Sequence, residues 1–310
     1  MPIVELQQVR KAYDTKVAVA GLSFTIEPGS MFGLLGPNGS GKTSSIRMMI
    51  GMTIPDSGTV NLFGQPFNRS LLTRIGYLPE ERGLYKKMKV MDQLIFLGEL
   101  HGLDAHTASK RAHVWCERME IAEAIEKKTE ELSKGMQQKI QFIAALLHEP
   151  DLIIMDEPFS GLDPVNAELL MKTLIELRAA GKAILFSTHR MDQVEKLCDS
   201  IAIIVKGKLV LSGGMREIKN RYPRNRVQMT FTGPDSFLQN PAVASFENYT
   251  GIAEIKLTSP DAAQSLLHAA VAAGAHVNRF EVMEPTLEEI FIETVKGTPE
   301  YAEAGGRIDV

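Results

Sequence analysis

The sequence predicts an α/β fold built around a largely parallel sheet, and three observations predict it. Short, wholly apolar runs such as Met31-Phe32-Gly33-Leu34-Leu35 and Leu152-Ile153-Ile154-Met155 recur between stretches of helical periodicity, the pattern of buried strands alternating with helices. Residues 4–26 instead alternate apolar and polar positions, as antiparallel strands with one wet face do. Near Arg221-Tyr222-Pro223-Arg224-Asn225-Arg226 the chain breaks into proline and polar residues, after which a shorter α/β pattern begins.

Taken in order, residues 4–26 read as a β-meander broken at Tyr13-Asp14 and at Gly21. Residues 31–35 form a buried strand, residues 36–43 a glycine-rich loop, and residues 43–50 a helix. Pro55-Asp56-Ser57-Gly58 and Phe63-Gly64 bracket a short strand at 59–62, and Ile75-Gly76-Tyr77-Leu78-Pro79 is another buried strand ending at a loop. Helical periodicity then takes over within an insert spanning about 85–135, with apolar residues at Leu94, Ile95, Leu97 and Leu100, then at Ala112, Trp115, Cys116 and Met119. A helix at 132–148, the strand at 152–155, a helix at 165–180 and strands at 183–187 and 201–206 complete the alternation that a parallel sheet demands. A first domain is thus expected over residues 1–220. A small α/β domain is expected over 226–297, from strands at 227–231, 252–257 and 276–282 and helices at 261–273 and 285–296, with a flexible tail over 298–310.

With 310 residues and 44% hydrophobic content, the chain can bury one large core and one small one. A formal net charge of −4 argues against a general nucleic-acid or anionic-membrane surface. Two cysteines, Cys116 and Cys198, cannot make a disulfide framework and fit a reducing compartment. The start Met1-Pro2-Ile3-Val4-Glu5 shows no secretion signal, and Ile201-Ala202-Ile203-Ile204-Val205 falls far below the ~20 residues a bilayer crossing needs. A cytosolic protein that meets a membrane only through a partner is the expectation.

The chemistry begins at Gly36-Pro37-Asn38-Gly39-Ser40-Gly41-Lys42-Thr43. Strand, glycine loop and helix are the context in which such a loop cradles phosphate. The glycines let successive N–H groups point inward, and the helix N-terminus adds its positive dipole end. Lys42 supplies a full charge for the β- and γ-phosphates and Thr43 a hydroxyl for Mg2+, so the fold is expected to be a P-loop nucleotide triphosphatase. Asp156 and Glu157 follow the apolar strand at 152–155 and would stand at the sheet's C-terminal edge, where ligands bind in open α/β folds. Asp156 can hold magnesium and Glu157 can orient or deprotonate a water, though such a pair read alone fits a solvated strand end equally well. In Leu132-Ser133-Lys134-Gly135-Met136, Ser133 is a natural helix N-cap and Gly135 leaves the backbone open. The residues do not separate a plain cap from an anion site there.

The order glycine loop, helical insert, Leu-Ser-x-Gly, Asp-Glu, then a lone histidine resembles the nucleotide-binding subunit of ATP-binding cassette (ABC) transporters over about residues 3–220. The resemblance implies that Tyr13 stacks on adenine, that Asn38 to Ser44 (including Gly39, Ser40, Gly41, Lys42 and Thr43) wrap the phosphates of ATP, and that His189 reaches the γ-phosphate. It implies that Ser160-Gly161-Leu162-Asp163 touches an opposing subunit, and that Ser133 and Gly135 of one chain face Lys42 of the other. By residue type alone, Tyr13 fits an ordinary half-exposed strand aromatic and His189 a satisfied histidine at a strand end. Two motifs depart from the family pattern. Glu80 stands where a magnesium-touching glutamine is usual, and Lys134 and Met136 alter the Leu-Ser-Gly-Gly-Gln signature. The run Tyr77-Leu78-Pro79-Glu80-Glu81-Arg82-Gly83-Leu84-Tyr85 and the C-terminal Glu284-Pro285-Thr286-Leu287-Glu288-Glu289-Ile290-Phe291 resemble bacterial single-cassette export ATPases, sodium-extrusion ATPases among them.

The function expected on this basis is ATP hydrolysis powering a separate integral membrane permease, with ATP and Mg2+ bound between two head-to-tail copies of the chain, or between it and a homologous cassette. The chain would then sit at the inner face of the cell membrane and take no nucleic-acid partner. The alternative is a soluble ABC ATPase that remodels a ribosome or DNA. Ribosome-acting members carry two cassettes, and DNA-organising members carry long coiled coils, whereas residues 53–131 show no sustained heptads. A nucleotide sensor without turnover would lack the carboxylate that Glu157 provides.

Overall fold

A computed structural model of the chain describes residues 1–296 apart from Arg82, Thr250 and Gly251. The expected tail at 298–310 lies outside the described residues. The chain divides into two compact units, one of Met1–Met215 together with the chain from Thr294, the other of Arg216–Glu293.

The first unit opens with β1 (Val4–Tyr13), β2 (Lys16–Ile26) and β3 (Met31–Leu35), followed by α1 (Lys42–Met49), β4 (Ser57–Leu62), β5 (Gln65–Pro66) and β6 (Ile75–Leu78). The helical insert holds α2 (Val90–Leu100) and α3 (Ala105–Arg118). Then come α4 (Lys134–Leu146), β7 (Leu152–Asp156), α5 (Pro164–Ala179), β8 (Ala183–Thr188), α6 (Met191–Leu197), β9 (Ser200–Val205) and β10 (Lys208–Gly214).

Two sheets result: an antiparallel one ordered β2-β1-β4-β5 and a six-stranded one ordered β10-β9-β3-β8-β7-β6. Every residue of β3, β7 and β8 is buried, as strands covered on both faces must be. Alternate residues of the central strands (Phe32, Leu34, Ile154, Leu185, Ala202, Ile204) join Ile46 and Met49 of α1 and the apolar face of β1 and β2 in one core. The strand ends at Leu35, Asp156 and Thr188 are thereby held in fixed register by the parallel pairings β3–β8 and β7–β8.

Two expectations need correction. Gly21 does not end a strand: the β1–β2 pairing passes from Val9–Leu22 to Arg10–Ala20, so Gly21 is the extra residue of a bulge inside β2. Ser57 and Gly58 belong to β4 rather than to a turn before it. The six-stranded sheet is largely parallel as expected, with β10 alone returning antiparallel to β9 after a tight turn at Lys206-Gly207.

The remaining elements are α7 (Met215–Asn220), β11 (Arg226–Thr232), β12 (Val243–Tyr249), β13 (Ile252–Leu257), α8 (Ala262–Ala272), β14 (His276–Met283) and α9 (Leu287–Lys296). In the second unit an antiparallel sheet ordered β12-β13-β11-β14 buries Val227, Met229 and Phe231 with Ala253, Ile255 and Leu257 against Leu266 and Ala270 of α8. The sequence showed no sign of β12. All of its residues but the half-buried Val243 are exposed, so no periodic burial marks it.

Candidate nucleotide-binding site

β3 runs out at Leu35 and the loop 36–41 delivers the chain to α1. Two glycines are required by space as well as by torsion. A Cβ at Gly36 (φ 152°) would lie 2.1 Å from the Ile204 carbonyl oxygen, and one at Gly41 (φ 113°) 2.4 Å from that of Ala18. Gly41 caps α1 without any side-chain hydrogen bond, which leaves the helix's first N–H groups for a ligand. Lys42 is buried, and its Nζ donates to the carbonyls of Gly36 (2.6 Å) and Pro37 (3.1 Å). Burial lowers its pKa, and the carboxylates of Glu157, Asp156 and Glu80 act in the opposite direction.

The loop lines a cleft of about 410 Å³ that also takes in Tyr13, Lys16, Ala18, Glu80, Asp156 and Glu157. Asn38, Gly39, Ser40, Gly41, Lys42, Thr43 and Ser44, the residues expected to wrap phosphate, line it together. At its mouth Tyr13 is 42% exposed, enough ring surface for a base to stack on.

The carboxylates do not sit at a solvated strand end. Asp156 is 1% and Glu157 9% exposed. Ser187 Oγ donates to Asp156 Oδ1, while Asp156 Oδ2 is buried without a partner. Glu157 takes a left-handed backbone (φ 50°) and donates its N–H to the Ser187 carbonyl at 3.0 Å, turning the chain sharply after β7. Its carboxylate accepts from Thr188 Oγ1 (3.1 Å) on Oε2 and contacts His189 Nδ1 (2.9 Å) on Oε1. His189, just past the end of β8, is thus satisfied by the Glu157 carboxylate. The residues fit a divalent cation: Asp156 Oδ2 is an orphaned buried acceptor, and Thr43 and Glu80 line the same cleft.

Other candidates lie apart from this cleft. Gly36 and Pro37 serve it through the carbonyls that hold Lys42. Ser133 caps α4, accepting from the Met136 N–H at 3.3 Å. Gly135 follows, with Leu162 and Asn166 at ordinary van der Waals distance from where its Cβ would be. Asp163 caps α5 through the Asn166 N–H at 2.9 Å, and that bond, with the Asn166 side chain, holds its carboxyl below the usual range. Ser133, Gly135 and Asp163 do not line the cleft. Sequence reasoning missed Lys16, Ala18, Ser187 and Thr188. The last two had one local signal, being polar residues that close an apolar strand.

Residues 19–160 match the family described as ABC transporter, and residues 213–295 match the ATP-binding protein DrrA1-3-like, C-terminal domain. The uncharacterized ABC transporter ATP-binding protein YhaQ of Bacillus subtilis (strain 168) is 43% identical over 294 residues, 94% of this chain and 98% of its own. The linearmycin resistance ATP-binding protein LnrL of the same organism is 33% identical over 302 residues, 94% of this chain and 97% of its own. A solved structure of the ATP binding subunit of an ABC transporter, 28% identical, has a TM-score of 0.66 and covers 71% of this chain and 92% of that one. With a phosphate cradle, a buried acidic pair and relatives matched end to end, this chain belongs to the ABC transporter family as an ATP-binding subunit, an ATPase with a DrrA-like C-terminal domain.

Proposed function

We propose that the chain powers export through a separate membrane permease, with two copies, or one copy and a homologous cassette, pairing head to tail on ATP. The observation that carries this reading is the division of the site. One chain's cleft holds Tyr13, Lys42, Thr43, Asp156 and Glu157, while Ser133, Gly135 and Asp163 lie outside it, at the starts of α4 and α5. An ATP seated in the cleft presents its γ-phosphate on one side only, so a second chain's α4 N-terminus supplies the missing anion contact. For ATP to swing such a pair from mostly open to mostly closed, it must favour the closed form by roughly 5 kcal/mol.

Glu157 accepts the proton of the attacking water as that oxygen bonds to the γ-phosphorus and the bond to the ADP oxygen breaks. His189 and Thr188 hold its carboxylate for that transfer. Mg2+, held by Asp156, Thr43 and Glu80, would neutralise the charge on the β- and γ-phosphates. No described helix is long and apolar enough to cross a membrane. The permease is therefore a separate chain in this reading, and it would hold the ATPase at the inner face of the membrane. The name Nod factor export ATP-binding protein I, borne by a Burkholderia pseudomallei (strain 1710b) relative 38% identical over 216 residues, supports the export direction.

The test uses a Glu157→Gln background, in which MgATP should trap a dimer on a sizing column. Adding Ser133→Arg should abolish the dimer and leave ATP binding to the monomer within a few-fold. A dimer that persists in the double variant rules out the head-to-tail arrangement.

A further inference from the structure

β8 ends in two consecutive hydroxyls, and each meets one of two consecutive carboxylates, Asp156 at the end of β7 and Glu157 just after it. Strand side chains alternate between faces, so consecutive residues of one strand ordinarily meet consecutive residues of the next on opposite faces of the sheet. Here the parallel register sets Ser187 opposite Asp156. The left-handed turn at Glu157, pinned by its N–H on the Ser187 carbonyl, brings the second carboxylate back to Thr188. All four residues are at least nine-tenths buried, so water does not compete for these bonds.

Each bond also has a sense. An ionised carboxylate only accepts, so both hydroxyl protons point at the acids. Thr188 Oγ1 in addition accepts the Arg190 N–H at 3.1 Å, which fixes the rotor. On Asp156, Ser187 occupies Oδ1 and leaves Oδ2 as the unpartnered oxygen. On Glu157, Thr188 occupies Oε2 and His189 contacts Oε1, which fixes the plane of the carboxylate.

We infer that Ser187 and Thr188 are separate positioning residues for the two halves of the reaction: Ser187 sets the Asp156 oxygen that meets the divalent cation, and Thr188 sets the Glu157 carboxylate for proton transfer. This rests on the reading of the cleft as an ATP and magnesium site. Groups that orient a metal ligand or a base from behind are typically worth about tenfold to hundredfold in metal affinity or activity.

The experiment uses the full chain with Ser187→Ala, Ser187→Thr, Thr188→Val and Thr188→Ser. Mn2+ is the probe, its free concentration read by electron paramagnetic resonance in the presence of ATP. Ser187→Ala should weaken Mn2+ binding to the ATP complex about tenfold or more and leave metal-free ATP affinity, measured in chelator, unchanged. Ser187→Thr should restore it. Thr188→Val should lower kcat about tenfold with KM within twofold and Mn2+ affinity at the wild-type value, and Thr188→Ser should recover most of the rate. Wild-type Mn2+ affinity in Ser187→Ala, or wild-type kcat in Thr188→Val, overturns the assignment, as does a loss that the hydroxyl-bearing replacements fail to repair. If an apolar variant does not fold, Ser187→Cys and Thr188→Cys, which keep a γ-atom that is only a weak donor, must show the same separation. A wild-type chain that binds no ATP would instead remove the underlying site, an outcome distinct from wild-type behaviour in the variants.

Discussion

Replacing Glu157 by glutamine separates binding from turnover. The carboxylate is 9% exposed and has two partners, His189 Nδ1 at 2.9 Å and Thr188 Oγ1 at 3.1 Å. A glutamine can keep both contacts: its oxygen takes the imidazole N–H, and its NH2 donates to Thr188, whose oxygen is also an acceptor. The static loss is then the difference between charged and neutral hydrogen bonds, about 1 kcal/mol, too little to unfold the chain. The loss in the reaction is larger, because an amide cannot take the proton of the attacking water. General-base removal costs about 100- to 10,000-fold, or about 2.7 to 5.4 kcal/mol in the barrier. Phosphate release at saturating MgATP should therefore fall by two to four decades, with ATP affinity by calorimetry within a few-fold of wild type. Turnover at the wild-type rate would show that Glu157 is not the base. A variant that also loses ATP binding would show that the carboxylate belongs to the binding wall.

Four further outcomes follow from the same geometry. Lys42→Ala should abolish ATP binding in calorimetry, because it removes the buried cation of the cradle; near-normal MgATP affinity in a folded variant would contradict the phosphate assignment. Glu80→Ala should weaken permease stimulation of the ATPase more than it lowers the basal rate, as measured with the permease in lipid, and an equal fall in both would place Glu80 in the chemistry alone. Truncation after Asn225 should leave a chain that binds ATP with unchanged affinity, since every residue lining the cleft precedes it; a folded truncation without binding would refute the boundary. Burial, and then the neighbouring His101 imidazole, push His148 down to about 4 from 6.5. Between those values the unfolded chain binds a proton that the folded chain refuses, so stability is full above pH 6.5 and declines as pH falls toward 4, by about 1–2 kcal/mol after allowance for partial exposure. His148→Gln, which retains a donor for the Ile75 carbonyl, should flatten that decline in denaturant melts at pH 7 and 4.5.

Much of the site was legible because local chemistry dictates it. Residues 36–43 need only a preceding strand and a following helix to form a cradle, and both flanks carry their pattern in a dozen residues. Asp156 and Glu157 were legible as a pair but not as a buried pair. Their burial depends on β8, some thirty residues later, setting Ser187 and Thr188 beside them through a sheet register that no local window contains. The partnership of His189 with Glu157 was hidden for the same reason. α6 was overlooked although Met191, Val194 and Leu197 are buried at helical spacing, because seven residues barely exceed the reach of a periodicity argument. β10 was missed because it is an edge strand ending in Gly213-Gly214, where the burial that marks inner strands is absent.

The left-handed backbone of Glu157 has a consequence for the evolvability of this ATPase. A non-glycine residue with that torsion carries about 1–2 kcal/mol of steric cost, least for asparagine and none for glycine. Glycine or asparagine would relieve that cost, but only by giving up the Thr188 and His189 contacts and the carboxylate proposed as the base. A laboratory selection for heat resistance alone would carry no penalty for such a change and could enrich chains that have lost the proposed base. Thermostabilising this protein for use thus requires that turnover be scored in every round.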